Sequence, residues 1–424
     1  MTESFLQYAW RYQLVEGAMT TTDGREVKVL RAGILNTDAG PDFFNARLLI
    51  GGVEWVGNVE VHVRASDWRQ HHHSDDASYN NVVLHVVYEA NEEVITGDGR
   101  TLPMLSLKGY IPEVLWNNYD ALVHAPQSID IGCADHLPSV SAMQLRSYMD
   151  RLVVERLERK TQDVQRLLDE AHGGWEHCCY WLVARYFGGK ANALPFELLA
   201  KATDLHLLAR WKDNPQRVEA LLMGQAGLLE AYFEDDYPRQ LQVDYQAIRA
   251  GSQLHPISAH LWKFFRLRPS SFPTLRISQL AQLVSQSSSL FSKLLDTTDA
   301  SRLEQYFDVE ASPYWTTHYQ FDKPSKGRRK SLGVSMARSL VINAWVPLLF
   351  QYGAAHGDEA LRERAVDILR QLPAEDNSIV ARWRQAGIVA ANAADSQALI
   401  QLYNEYCRDR RCLQCHIGYQ VLKP

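Results

Sequence analysis

Along the chain the spacing of apolar positions changes character once. At the start Phe5, Leu6, Ala9, Trp10 and Leu14 recur at helical spacing, which predicts a helix over residues 3–16 that Gly17 can end. The next hundred residues alternate instead, punctuated by the turn signals Asp23-Gly24 and Gly97-Asp98-Gly99. Strands are predicted over 26–35, 43–50, 53–64, 82–89 and 101–108. In the third of these, Val59, Val61 and Val63 alternate with Asn58, Glu60, His62 and Arg64. Successive strand side chains face opposite ways, so one face is apolar and the other carries Glu60, His62 and Arg64 together. The stretch 82–89 is apolar on both faces apart from His85, as expected of a central strand. Between these two strands, residues 66–80 are polar and read as a loop with a short helix.

From Pro138 onward the pattern turns helical. Ser141 and Gln144 have capping-box spacing, and Leu145, Met149, Leu152, Val164, Leu167 and Leu168 follow as a stripe before Gly173-Gly174. Further helices are predicted at 175–187, 195–210, 215–233, 258–266, 276–295, 334–352, 358–371, 377–389 and 394–407, with no fixed-period repeat. The fold class is therefore α+β. A β-rich domain over 1–137 precedes a large all-α region over 138–424, of one or two subdomains, that ends in a Cys-rich tail.

Composition narrows the class without naming a function. A chain of 424 residues exceeds one simple core, and 46% apolar with 22% charged residues is ordinary globular usage. The formal net charge of −6 argues against wholesale electrostatic attraction to nucleic acid and leaves room for a local basic face. The start, MTESFLQYAWRYQLVEG, has early acidic residues and no apolar core of signal-peptide length. No stretch approaches the roughly 20 apolar residues needed to span a bilayer. The expectation is a cytoplasmic protein with no membrane partner and reduced cysteines.

The candidate chemistry lies in the first domain. Gly40-Pro41-Asp42-Phe43 leads into one strand, and Glu60-Val61-His62 sits on the next. The Pro-Asp, the intervening strand, the Glu-x-His and the preceding helix together resemble the core of the PD-(D/E)XK nucleases. That resemblance implies an αβββαβ core, with Asp42 and Glu60 holding Mg²⁺ or Mn²⁺ and a nuclease-like phosphodiester hydrolysis of DNA or RNA. The sequence departs from the family pattern at one point, because His62 stands where lysine is usual. The GPDF, GNVEVH, SDW and LHVVYE stretches also resemble a family of uncharacterised bacterial proteins, a match that implies no known activity.

Two carboxylates suit a hard cation, which polarises a phosphate and lowers the pKa of a bound water. Imidazole can ligate a metal or act as a base, but is a weaker electrostatic substitute for lysine. A second cluster, His71 to His73 with Asp75 and Asp76, offers zinc or transition-metal ligands. His71 and His73 are favoured because they share a face if the stretch is extended. His85 reads as a hydrogen-bonded core histidine that the neighbouring strand can bring near Glu60 and His62.

Two further groups lie elsewhere. Cys407, Cys412 and Cys415 cluster at the C-terminus, with Cys133 as a distant fourth ligand for zinc or an iron–sulfur cluster. The alternative is reduced cysteines packed in a terminal helix, with Arg408, Arg410 and Arg411 lowering their pKa values. Cys178 and Cys179 read as core. Lys323, Lys326, Arg328, Arg329 and Lys330 form a loop-like basic run suited to phosphate contacts. Three functions follow: a metal-dependent nuclease, a non-catalytic nucleic-acid or partner-binding protein on a degenerate nuclease scaffold, and a zinc-dependent hydrolase.

Overall fold

The computed structural model describes residues 1–124, 130–287 and 289–422. It divides into two units. The first comprises Met1–Leu145, Gln385–Gly387 and Leu402–Pro424, and the second Arg146–Arg384 and Ile388–Gln401. The Cys-rich tail, expected to belong with the helical region, is thus part of the sheet-bearing unit.

The first unit opens with α1 (Glu3–Arg11), whose Thr2 cap accepts a hydrogen bond from the Phe5 N–H. The helix stops five residues short of the predicted end. Gln13 takes a left-handed conformation (φ 52°), its N–H reaches the Trp10 carbonyl, and the Leu14 N–H returns to the Ala9 carbonyl. Those two bonds form a Schellman closure, so Gln13 and not Gly17 terminates the helix. Seven strands follow: β1 (Met19–Thr20), β2 (Glu26–Arg31), β3 (Ile34–Leu35), β4 (Phe43–Ile50), β5 (Val53–Arg64), β6 (Val82–Glu89) and β7 (Met104–Ser106). The predicted strand 26–35 is two strands, broken at Ala32-Gly33. Gly33 has φ +100° and would bring an added Cβ to 3.0 Å from Phe44 O, so the break needs a glycine.

The sheet runs β1-β2-β4-β5-β6-β7, with β3 paired to β4. The β2, β4 and β5 pairings are antiparallel, whereas β5–β6 and β6–β7 are parallel. A parallel neighbour requires a crossover. Residues 67–81 supply it as α2 (Asp67–Gln70) and two short 3₁₀ turns.

Each face of the sheet has its own core. Leu6 and Trp10 of α1 pack with Phe43, Leu48, Val59, Val61, Leu84 and Val86. Trp68 and Tyr79 of the crossover pack with Val82, Val87, Leu102 and Met104. The face carrying Glu60 and His62 is therefore covered and not solvated, leaving those residues 4% and 1% exposed. Helix α3 (Glu113–His124) then leads toward the second unit.

The second unit begins within the helix Ala142–Glu170 and is mainly helical, but not all-α as expected, because His318–Gln320 and Lys323–Pro324 pair as a two-stranded antiparallel sheet. Trp175–Phe187 and Glu359–Gln371 fall where periodicity placed them. Asp236–Ala250 and Ala300–Phe307 were not anticipated, their apolar stripes being diluted by charged and polar positions. The predicted helix 258–266 is only a 3₁₀ turn, Ala259–Leu261. No helix among the described residues is long and apolar enough to cross a membrane.

The β5–β6 junction is the tightest point of the sheet. A Cβ at Gly57 would lie 2.4 Å from Val83 Cγ1 and 2.6 Å from Asn81 O. Gly57→Ala is therefore expected to lower stability by about 1–3 kcal/mol through overpacking. Thermal unfolding would record this as a fall in Tm, and an unchanged Tm would show that the junction has room to spare.

Candidate metal centre

The loop before β4 delivers Asp42. Asn36 organises that loop, its side-chain amide donating to the carbonyls of Asp38, Ala39 and Pro41 at 3.1–3.2 Å. Its oxygen accepts from the Asp38 N–H at 3.0 Å. Gly40 makes the turn at φ +101°. β4 then carries a bulge between Phe43 and Ala46, with Asn45 at φ 55°. Bulges of this kind re-aim side chains beside functional sites.

Asp42 and Glu60 are joined by reciprocal bonds. The Asp42 N–H donates to Glu60 Oε2 at 3.0 Å, and the Val61 N–H donates to Asp42 Oδ2 at 3.0 Å. Gln7 of α1 donates its amide to Asp42 Oδ1 at 2.9 Å. The remaining oxygen, Glu60 Oε1, faces two imidazoles: His73 Nε2 at 3.2 Å and His62 Nε2 at 3.4 Å.

The imidazoles are held by aromatic packing and one ring-to-ring contact. His62 Nδ1 lies 2.9 Å from His85 Nε2, so this contact leaves Nε2 as the atom facing Glu60. His73 stacks on Tyr79 with centroids 3.8 Å apart and meets Trp68 edge-on at 5.3 Å. His71 caps α2, its N–H bonded to the Asp67 carbonyl at 2.9 Å. His72 is left-handed (φ 59°, ψ 30°) and points away, 3.4 Å from Asp75. That single reversal turns His71 and His73 toward the same point. The pairing expected from an extended strand is thus obtained by a helix end and one residue at positive φ. His62, His71 and His73 each offer a nitrogen within 4.8 Å of the others.

Electrostatics make the cluster costly without a cation. Burial and the adjacent Glu60 push the Asp42 carboxyl up to about 7. Burial pushes Glu60 up to about 8, opposed by the Asp42 N–H. Burial, reinforced by His73 and His71, drives His62 down to about 3. His85 is held far below its usual value by burial and the nearby His62. Glu3 of α1 is also raised, by burial and then by Asp42, while His71 and His73 oppose. His73 Nε2 is buried and lacks a hydrogen-bond partner despite its proximity to Glu60. Neutral imidazoles facing crowded carboxylates fit a bound cation, which would stabilise the ionised carboxylates and use the free nitrogen lone pairs.

Sequence reading did not single out Glu3, Gln7, Asn36 or Tyr79. The Glu3–Gln7 pair had a usable signal, since two polar residues four apart share one helix face. Asn36 had none, because its role depends on loop closure, and Tyr79 was visible only as an aromatic flanking the histidine segment, its ring stacking leaving no periodic trace.

The other candidates lie apart from this cluster. Cys133, Cys407, Cys412 and Cys415 line one cavity within the first unit, together with Arg410 and Gly418. No disulfide joins them. Burial pushes Cys133 up to about 12 and Cys412 to about 11, with the other thiols adding to the shift. Burial thus outweighs the arginines that were expected to lower these values. Cys178 and Cys179 are buried in the helical unit, as expected. In the basic segment Lys323, Lys326, Arg328 and Arg329 are exposed, and Arg329 is paired with Glu310 at 2.6 Å. Lys330 is buried, donating to His318 O at 2.6 Å and sitting 3.6 Å from the Tyr319 ring centre, so it cannot also serve as a surface phosphate contact.

Because Asp42 has a raised pKa, its contribution to stability is greatest below the unfolded value of 3.8 and is lost as pH rises toward about 7. An amide cannot ionise, and its oxygen can still accept from Val61 while a flipped Gln7 takes its NH₂. Asp42→Asn is expected to stabilise the metal-free protein at pH 8 by about 1–3 kcal/mol, with the gain shrinking toward pH 4. Denaturant titrations at the two pH values check this, and a destabilised variant at pH 8 would contradict it.

No curated protein and no solved structure matches the chain. A family model does, over residues 3–378, and the chain belongs to that family, described as a protein of unknown function (DUF2851).

Proposed function

We propose that the sheet-bearing unit is a metal-dependent phosphodiesterase acting on nucleic acid. The observation that carries this reading is the convergence of Glu60, His62 and His73 on one point, with Asp42 bonded beside Glu60 through its N–H and His71 at the exposed side. The order α1, β2, β4, β5, α2, β6 also supports the PD-(D/E)XK resemblance, as does the change from antiparallel to parallel pairing at β5.

Asp42 and Glu60 provide hard oxygen donors, and the histidines provide softer nitrogen donors. A mixed set of this kind favours Mn²⁺ or another transition ion over Mg²⁺, which prefers oxygen and water. A cation held there supplies Lewis-acid charge to a phosphate oxygen and a bound water of lowered pKa. The residues do the rest by position. Gln7 and the Val61 N–H hold Asp42 in place, and His85 holds the His62 ring. Tyr79 and Trp68 seal His73 from solvent on the crossover side. Exposed His71 is the imidazole placed to meet an incoming substrate. The exposed Lys323, Lys326 and Arg328 are consistent with contact to a phosphate backbone.

Three imidazole nitrogens close enough to share one ion favour a second reading, a zinc-dependent hydrolase at the same residues. Cleavage of single- and double-stranded DNA and RNA, assayed with Mn²⁺, Mg²⁺ or Zn²⁺ added to metal-stripped protein, separates the two. The expected result is Mn²⁺-supported cleavage that falls about 100-fold or more in Asp42→Ala and Glu60→Ala. Activity indifferent to metal, or untouched by both replacements, would sink the nuclease reading. Calorimetric titration gives an independent check, in which His62→Ala weakens Mn²⁺ binding by about 10–100-fold. An unchanged Kd would remove His62 from the ligand set.

A further inference from the structure

The second cluster of metal-ligand chemistry is the cavity at the C-terminal segment. Cys133 lies at the start of the 3₁₀ turn Ala134–Ser139. Cys407 closes the π-turn Tyr403–Cys407, and Cys412 opens a short 3₁₀ turn. Cys415 immediately precedes the helix His416–Leu422. All four cysteines line one cavity although Cys133 is remote in sequence from the other three, and Cys412 and Cys415 lie within electrostatic range of Cys133.

The backbone is built to hold this arrangement. The Cys415 N–H donates to the Cys412 carbonyl at 3.2 Å, folding the Cys-Leu-Gln-Cys segment into a tight turn. The turn lies so close to the terminal helix that a Cβ at Gly418 would sit 2.0 Å from Cys412 O. Arg410, in a left-handed conformation (φ 55°), lines the same cavity; its guanidinium donates to Leu122 O at 3.5 Å and lies 3.9 Å from Asp130. Four thiolates around zinc, or around a four-iron cluster, leave a net negative charge that a lining arginine offsets. Four cysteines packed for apolar burial alone would need neither the shared cavity nor an arginine in its wall.

We propose that Cys133, Cys407, Cys412 and Cys415 hold one thiolate-ligated metal centre, a tetrahedral zinc ion or an iron–sulfur cluster, that fixes the C-terminal segment within the sheet-bearing unit. This inference does not depend on the phosphodiesterase reading.

The test is elemental analysis and visible absorption of the full chain, purified both aerobically and anaerobically from cells supplied with zinc and iron. About one zinc per chain, or about four irons with inorganic sulfide and cluster absorption, is the expected result. The metal should be lost in Cys133→Ser and Cys415→Ser. It should be retained in Cys178→Ser, and also in an Asp42→Ala/Glu60→Ala double variant, which separates this centre from the carboxylate–histidine site. If the cysteine variants fail to fold, X-ray absorption of the unaltered protein keeps the proposal falsifiable, with an all-sulfur first shell of protein and cluster ligands expected. Absence of zinc and iron from both preparations would overturn the proposal. So would metal retained in both cysteine variants, or a first shell of nitrogen and oxygen.

Discussion

The two hydrogen bonds that tie Asp42 to Glu60 and to Val61 are the constraint on which the first unit depends. β4 and β5 pair regularly from Ile50 and Val53 to Ala46 and Gly57 and, past a bulge, once more at Phe43 and Val59. Beyond that point side chains replace backbone as acceptors: Glu60 takes the Asp42 N–H, and Asp42 takes the Val61 N–H. The strand ends are thereby joined by carboxylates that must stay close together. Their burial is unfavourable in itself and raises both pKa values, with Glu60 adding to the rise at Asp42 and Glu3 to that at Glu60. Structural order and chemical readiness come from one arrangement. The bonds that define the end of the sheet also hold two carboxylates where a proton or a metal ion is needed.

The surrounding residues follow from that need. Covering Glu60 and His62 requires a crossover bearing large aromatic side chains, and Trp68 and Tyr79 supply them. Burying imidazoles beside them requires ring contacts in place of water, and His62–His85 and His73–Tyr79 provide those. α1 serves both sides of this design. Leu6 and Trp10 anchor it to the core, while Gln7 reaches Asp42 and Glu3 lies within electrostatic range.

Much of this was legible in the sequence where the pattern is local. The alternation of Val59, Val61 and Val63 against Glu60 and His62 located β5, and the apolar run of β6 identified a central strand. The same alternation was ambiguous about solvent, because a polar face and a buried polar site have the same period. Only the crossover residues decide between them, and their packing is not periodic. His71 and His73 were chosen for the wrong geometry: residue 72 restores by a left-handed turn what an extended strand would have given. Arginines near the cysteines suggested depressed thiol pKa values, but charge counted along a sequence omits burial, and burial dominates here. The basic run was legible as a loop, whereas the burial of Lys330 depended on Tyr319 and His318, which no charge count weighs.

The return of residues 402–424 to the first unit has a consequence for biosynthesis. The helical unit is, in chain order, almost wholly an insertion between the sheet and the segment that completes the sheet's unit. A growing chain can form β1 to β7 early, but the cavity around Cys133 stays open until residues 406–418 have been made. The helical insertion has time to fold before then, which shortens the effective loop that must close. Assembly of the first unit is therefore a long-range step, and a chain lacking residues 402–424 would expose the surface they cover.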